Sequence, residues 1–296
     1  MTDVLVGTER GLHTPGVGTD LEGHDVWALA ADRWGVWALV GGRSVWRRTA
    51  GPWVEVTEVP HPKGQCLSAS EQGLLVGTAE AHLLRLEEGT LERVVEFDRV
   101  EGRDGWSTPW GGPPATRSIA RGADGTIYAN VHVGGIVRSA DGRAWEPTIA
   151  VDADVHQVIA HPDRAGLVLA ASARGLERSE DRGRTWSTHA DGLHGRYSRA
   201  VAVAGDTLVM TSSTGPFTER AALYRRPLDG DRGFERSSDG LPEWFPSNID
   251  SHCLAASGST VVFGTDRGEV YRSEDSGQTW ERIAGGLPPV RCVLAV

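Results

Sequence analysis

SEDSGQTW occupies residues 273–280. A near copy, SEDRGRTW, stands at 179–186, and a shortened one, SADGRAW, at 139–145. These residue types suit a tight hairpin. An Asp side chain accepts hydrogen bonds from the backbone N–H groups that follow it. Glycine takes the left-handed backbone conformation without steric cost. Trp adds a large apolar face and one N–H donor. The stretch argues against a calcium loop of the EF-hand kind, which needs alternating oxygen ligands, a terminal Glu and flanking helices. It argues more strongly against a serine nucleophile, since it has neither a His nor a strained elbow. LDGDRGF at 228–234 reads as a fourth, decayed copy.

Outward from these hairpins the chain repeats. Short apolar runs end in small residues: VLVGT (4–8), VWALVGG (36–42), LLVGT (74–78), TIYANV (126–131), LVLAAS (167–172), LVMTSS (208–213) and VVFGT (261–265). They read as strands, spaced about 35 to 55 residues apart as propeller blades are. Most follow a second signal of a polar residue, small residues and Ala: RSIA (117–120), HQVIA (156–160), RAVA (199–202), HCLA (252–255) and RCVLA (291–295), with VWALA (26–30) and QCLSA (65–69) as weaker relatives. These are expected to be innermost strands, where blades converge and small side chains fit. Helical periodicity is nearly absent; ERAALYRR (219–226) fits either one helical turn or a strand.

RCVLAV ends the chain with no second strand after it, and VLVGT opens the chain with no inner strand before it. The C-terminal strand is therefore expected to complete the N-terminal blade, which removes an open sheet edge. The reading is all-β, a single seven-bladed β-propeller domain of four-stranded blades. Their bounds are 1–24 with 289–296, then 25–63, 64–114, 115–152, 153–195, 196–246 and 247–288.

The formal net charge of −10 argues against a general nucleic-acid or anionic-membrane partner. No apolar run approaches the roughly 18 residues that span a bilayer. MTDVLVGTERGLHT lacks the basic and apolar segments of a secretory signal, and the three cysteines show no CxxC spacing. Together these predict a cytoplasmic protein with reduced thiols.

The pattern S-x-D-x-G-x-T-W resembles the Asp box, or BNR repeat, of sialidase-like propellers. Ser273, Asp275, Gly277, Thr279 and Trp280 match it in full, as do Ser179, Asp181, Gly183, Thr185 and Trp186. Ser139, Asp141, Gly142 and Trp145 match a shortened form. The resemblance implies a box that joins the third and fourth strands of a blade, at the periphery and away from the ligand face. It does not imply a true sialidase. The aromatic-Arg-Ile-Pro motif of those enzymes is absent, and they have six blades. Their arginine triad, Tyr–Glu pair and acidic Asp would be imitated here only by Arg117, Arg199 and Arg291, with Tyr197 and one of Asp25, Asp154 or Asp250. Seven-bladed propellers with similar repeats also include photosystem II assembly factors, which grip a partner with an arginine patch.

If the boxes mark one face, the opposite face gathers the candidate chemistry. Lead-ins to the inner strands carry Arg117, His156, Arg199, His252 and Arg291, with Asp25, Asp154, Tyr197 and Asp250 nearby. Turns between second and third strands carry Glu9, Arg10, His132, Arg174, Asp266 and Arg267. Insertions at 106–112, 214–219 and 243–248 add Trp106, Trp110, Trp244 and Phe245 as surface aromatics. Two accounts of the cationic residues are open. They pair with Asp25, Asp154 and Asp250 between blades, or they form an anion pocket in which Arg forks read a carboxylate, phosphate or sulfate. The ligand-binding set is then Arg117, Arg199, Arg291, His156, His252, Trp106 and Trp110. The first functional reading is a binding propeller for an anionic small molecule or an acidic protein segment at the channel mouth. The alternative is a hydrolase or lyase, glycosidase-like or metal-dependent, working on such a molecule, with His132, His156, His252, Tyr197 and Asp250 as catalytic candidates. No cofactor is expected in the first reading; in the alternative, His132, His156 and His252 hold a transition metal. Cys66, Cys253 and Cys292 share one register and are expected to pack between blades rather than react.

Overall fold

The computed structural model describes residues 2–296. Among these residues the chain forms seven four-stranded sheets, the blades of a β-propeller. Blade 2 takes Val26–Asp32, Gly35–Val40, Ser44–Arg48 and Val54–Glu58; blade 3 takes Gly64–Ser70, Gly73–Thr78, Leu83–Glu87 and Thr90–Arg93. Blade 4 takes Ala115–Arg121, Ile127–His132, Gly135–Ser139 and Glu146–Pro147; blade 5 takes Val155–Ala160, Val168–Ser172, Gly175–Ser179 and Ser187–His189. Blade 6 takes Val201–Ala204, Thr207–Ser213, Ala221–Pro227 and Glu235–Arg236; blade 7 takes Leu254–Ser257, Thr260–Gly264, Val270–Ser273 and Glu281–Ala284. Blade 1 is composite. Val290–Ala295 pairs antiparallel with Val4–Thr8, and Gly11–Thr14 and Gly18–Asp20 complete the sheet. The expected closure by the C-terminal strand is thus present. The segment around 219–226 is a strand, Ala221–Pro227, rather than a helical turn.

Burial explains why second strands read as unbroken apolar runs. Val4–Thr8, Ile127–His132 and Val168–Ser172 are buried at every position, so neither face selects polar residues. First strands alternate instead, as in Ala115–Arg121. By backbone contacts the chain divides into two compact units: residues 1–26, 171–176 and 188–296, and residues 27–170 and 177–187. The division passes through the second, third and fourth strands of blade 5 and the first strand of blade 2. In the first unit, Phe263 stacks on Tyr271 with centroids 5.0 Å apart and meets Trp280 edge-on at 5.1 Å. In the second, one core gathers Leu75, Phe97, Trp106, Ile127 and Val131, and another Tyr128, Ile136, Val155 and Val168.

The three Ser–Asp–Gly–Trp stretches each connect a third strand to a fourth. In 273–280 the Ser273 hydroxyl donates to Asp275 Oδ1 at 2.7 Å and accepts from Gly277 N at 2.9 Å. Asp275 also accepts from Gln278 N, Thr279 N and Thr279 Oγ1. Trp280 Nε1 donates back to the Gly277 carbonyl at 3.2 Å. Gly277 needs its missing side chain, because its φ is +82°. The 179–186 copy repeats the pattern, with Trp186 Nε1 donating to Gly183 O at 3.1 Å. In the short copy Trp145 packs edge-on against Phe97 instead, at 5.1 Å. No helix among the described residues is long and apolar enough to cross a membrane.

Candidate functional site

The inner-strand lead-ins carry a repeated irregularity. In blade 4, Thr116 pairs with Val131 and Ser118 with Asn130, which leaves Arg117 as the extra residue of a bulge. Gln65 in blade 3 and Arg291 in blade 1 occupy the same place. A bulge re-aims the side chain it carries. The sequence pattern of a polar residue before a small apolar strand is therefore a bulge signature.

The site forms where blade 4 meets the first strand of blade 5, within the second unit. His132 is the last residue of the blade 4 second strand, and Asp154 and His156 flank Val155 at the start of the next inner strand. A buried polar chain sets their spacing. Asn130 Nδ2 donates to the Val155 carbonyl at 2.6 Å, Ser118 Oγ donates to Asn130 Oδ1 at 3.1 Å, and Val158 N donates to Ser118 Oγ at 2.8 Å. With the strands held so, His132 Nε2 lies 2.9 Å and His156 Nε2 3.3 Å from the same oxygen, Asp154 Oδ1. The imidazole centroids are 5.3 Å apart. Both histidines are buried, while the Asp154 side chain is 33% exposed.

Burial lowers the His132 pKa, the charge of Arg117 adds to that, and the nearby Asp154 carboxylate opposes it. Burial disfavours the Asp154 carboxylate, yet the two imidazoles beside it outweigh burial and hold the carboxyl well below its usual range. At neutral pH the group is thus an ionised carboxylate beside a neutral His132.

The 106–112 insertion supplies the outer wall. A Cβ on Gly134 would lie 2.8 Å from the Trp106 ring and 2.6 Å from Val131, so glycine is what lets Trp106 pack under the 132–135 turn. Ser107 N donates to the Val133 carbonyl at 3.2 Å, and Thr108 Oγ1 donates to Gly112 O at 2.5 Å. This fastening places Trp110 over His132 with centroids 5.4 Å apart, while Trp110 itself stays 67% exposed.

The sequence-predicted residues divide into groups. His132, His156, Asp154 and Trp110 come together, and Arg117 acts on His132 through its charge. Beside the two imidazoles stands Asp154; His252 belongs to the other unit. In that unit Arg199 is ion-paired with Asp250 and lies over the Tyr197 ring, 5.3 Å from its centroid. Burial works against the Arg199 charge, and Asp250 more than compensates. Arg291 reaches Glu9 at 2.7 Å and Asp25 at 3.5 Å. His252 has a φ of +68°, and its carbonyl accepts from Val293 N at 2.8 Å. Pairing of Arg291, His156 and Arg199 with Asp25, Asp154 and Asp250 is therefore a feature of the molecule.

Two expectations are corrected. Trp106 is 8% exposed and stacks near Phe97 in a core, so it offers no ligand surface. Phe245 is likewise buried, against Phe263 and Tyr271. The cysteines are buried and in no disulfide. Cys66 Sγ lies 3.4 Å from Thr116 O, and Cys253 and Cys292 approach carbonyls of the following inner strands. Burial pushes the Cys66 thiol up to about 12. Asn130 and Ser118 escaped the sequence reading; a polar residue inside the apolar run TIYANV was the available signal. A separate cleft of about 620 Å³ runs between the first hairpins of blades 2 and 3, lined by Asp32, Trp34, Trp37, Arg47 and Glu71. Its Asp32 is occupied structurally, accepting from Trp37 Nε1 at 2.9 Å and Trp34 N at 2.8 Å.

No family model matches the chain, and no curated protein matches it. Solved structures do. An ancestral GH74 enzyme is similar at 15% identity and a TM-score of 0.65, covering 95% of this chain and 40% of that one. The GH74 xyloglucanase from Xanthomonas campestris is similar at 14% identity and 0.62, covering 95% and 47%. The extracellular domain of a putative hybrid two-component system from B. thetaiotaomicron is similar at 13% identity and 0.59, covering 87% and 33%. The chain thus spans less than half the length of these structures. At such identities the likeness defines the fold, a seven-bladed β-propeller.

Proposed function

We propose that the protein is a ligand-binding propeller whose site, around Arg117, Trp110 and His132, takes a small anionic molecule. The observation that carries this reading is Trp110, held exposed with its ring 5.4 Å from that of the buried His132, in a sheet that also carries Arg117. An exposed indole, together with a guanidinium carried by the strand next to His132, suits a compact ligand with an apolar or sugar-like body and a carboxylate or phosphate group. The reading centres on Arg117 because it stands in the strand beside His132, two residues from the Ala115 that pairs with His132, whereas Arg199 and Arg291, in ion pairs with Asp250 and with Glu9 and Asp25, belong to the other unit. The Ser–Asp–Gly–Trp hairpins support kinship with Asp-box propellers, and three buried thiols suit a reducing, cytoplasmic setting.

A thermal-shift screen with carboxylates, phosphates, sugar acids and an acidic peptide tests the reading, since a ligand that binds only the folded state raises the transition temperature. Arg117→Ala and Trp110→Ala are expected to abolish the shift. Equal stabilisation of these variants and the unaltered protein would overturn it, and a shift with the acidic peptide alone would replace the small molecule with a protein segment. A second reading is catalysis, favoured by two imidazoles sharing one carboxylate; it requires turnover of the anion that His132→Gln abolishes.

A further inference from the structure

Three side chains of this site stand close together without aligned hydrogen bonds, and the buried Asp154 Oδ1 accepts none from the described residues. Both Nε2 atoms converge on one carboxylate oxygen, at 2.9 and 3.3 Å, and the donor atoms of His132, Asp154 and His156 all lie within 4.8 Å of one another. Around a tetrahedral or octahedral ion with bonds of about 2.0–2.2 Å, neighbouring ligand atoms stand about 3.0–3.5 Å apart. The observed separations reach that geometry with small side-chain rotations. We propose that His132, Asp154 and His156 form a mononuclear site for a divalent first-row transition ion of the zinc class. The proposal deepens the ligand-site reading above, and its test separates the two.

The donor set decides the class of ion. Two imidazoles and one carboxylate suit zinc, iron(II), cobalt or nickel, whereas calcium and magnesium want oxygen ligands throughout. The backbone supplies the rigidity such a site needs. His132 closes a strand buried along its length, and His156 stands in the adjoining inner strand. The bonds through Asn130 and Ser118 tie those two strands to each other. In the loaded site each ring offers its Nε2 lone pair and carries its proton on Nδ1. Three protein ligands leave at least one coordination position for an exogenous group.

Arg117 shapes what that group is. This arginine is the bulge residue two positions from the Ala115 that pairs with His132, so its positive charge stands at this end of the sheet and opposes a bare dication. An anion that completes the coordination sphere and meets the guanidinium relieves this repulsion. The ion and an oxyanion should accordingly bind with positive coupling, each tightening the other. This coupling separates a metal centre from a purely structural clamp between strands.

The test uses the full chain without a polyhistidine tag, stripped with chelator and titrated with zinc or cobalt(II). The expected result is one ion per chain by elemental analysis. Cobalt should give the visible absorption of a four- or five-coordinate centre. His132→Gln and Asp154→Asn should weaken binding at least about tenfold, while His24→Ala, an exposed histidine elsewhere, should not. His156 is fully buried, so His156→Ala unfolds the chain if its ring is needed for packing; Asp154, with its side chain 33% exposed, keeps the test decisive. Inorganic phosphate should tighten zinc binding in the unaltered protein and not in Arg117→Ala. Sub-stoichiometric metal, or binding that survives both His132→Gln and Asp154→Asn, overturns the proposal. Anion binding that depends on Arg117 in a protein that takes no metal would sink the metal site and leave the ligand site standing. Stoichiometric metal without anion binding would do the reverse.

Discussion

Asp275→Asn should destabilise the protein by about 1 kcal/mol at neutral pH and by almost nothing near pH 2. The Asp275 carboxylate accepts from Ser273 Oγ at 2.7 Å, Gln278 N at 3.0 Å, Thr279 N at 2.9 Å and Thr279 Oγ1 at 2.7 Å. Burial opposes the anion, but these donors outweigh it and bring the pKa from the ordinary 3.8 down to about 2. Taken whole, that drop corresponds to about 2.4 kcal/mol at 1.36 kcal/mol per pH unit. The hairpin lies in water, which screens the interaction and reduces the expectation to about 1 kcal/mol. The sign follows from linkage. A depressed folded-state pKa contributes stability above the unfolded value near 4, and the contribution disappears as pH falls through about 2. Asparagine keeps one oxygen acceptor and loses the charge, so it isolates the electrostatic part. Scanning calorimetry of both proteins from pH 7 to pH 2 should show a gap of about 2–4 °C that closes through the acid range. No gap at pH 7, or one that keeps its full size at pH 2, would refute the account of the hairpin as a charge-assisted clasp.

Asn130→Ala removes the donor to Val155 O and the acceptor for Ser118, both buried, and should cost about 2–3 kcal/mol in urea unfolding. A cost below about 0.5 kcal/mol would show that the strands are held otherwise. Gly134→Ala places a methyl group 2.8 Å from the Trp106 ring, so it should destabilise by about 1–3 kcal/mol and weaken anion binding by loosening the Trp110 loop. Unchanged stability and affinity would separate that loop from the site. Burial holds the Cys66 thiol up at about 12 and raises Cys253 and Cys292 as well. A thiol reagent at pH 8 should therefore leave the native protein almost unlabelled and modify all three cysteines after unfolding in urea. Rapid labelling of the native protein would show an accessible thiol.

The architecture was legible because its signals are local. A hairpin such as 273–280 closes through bonds among eight neighbouring residues, and the chemistry of Ser, Asp, Gly and Trp states those bonds directly. The unbroken apolar runs mark strands covered on both faces, and the half-blades at the two termini imply their own pairing. Even the polar residue before each inner strand carried information, since Arg117, Arg291 and Gln65 prove to be bulges.

The site was legible only as a pool of candidates. Register placed Arg117, His132, Asp154 and His156 among equivalent lead-ins and turns, along with residues that behave quite differently. Trp106 and Trp110 share one short insertion, and no local pattern says that the first enters a core while the second stands in solvent. That outcome depends on the room above Gly134, a residue about 28 positions away in the chain. Likewise, the pairing of His132 and His156 with Asp154 depends on Asn130 reaching across to Val155. Hairpins and strand periods are written within a few residues, so the amino-acid order alone was enough for the propeller. Which side chains share one carboxylate is settled by packing between strands distant in the chain, and only the folded molecule specifies that.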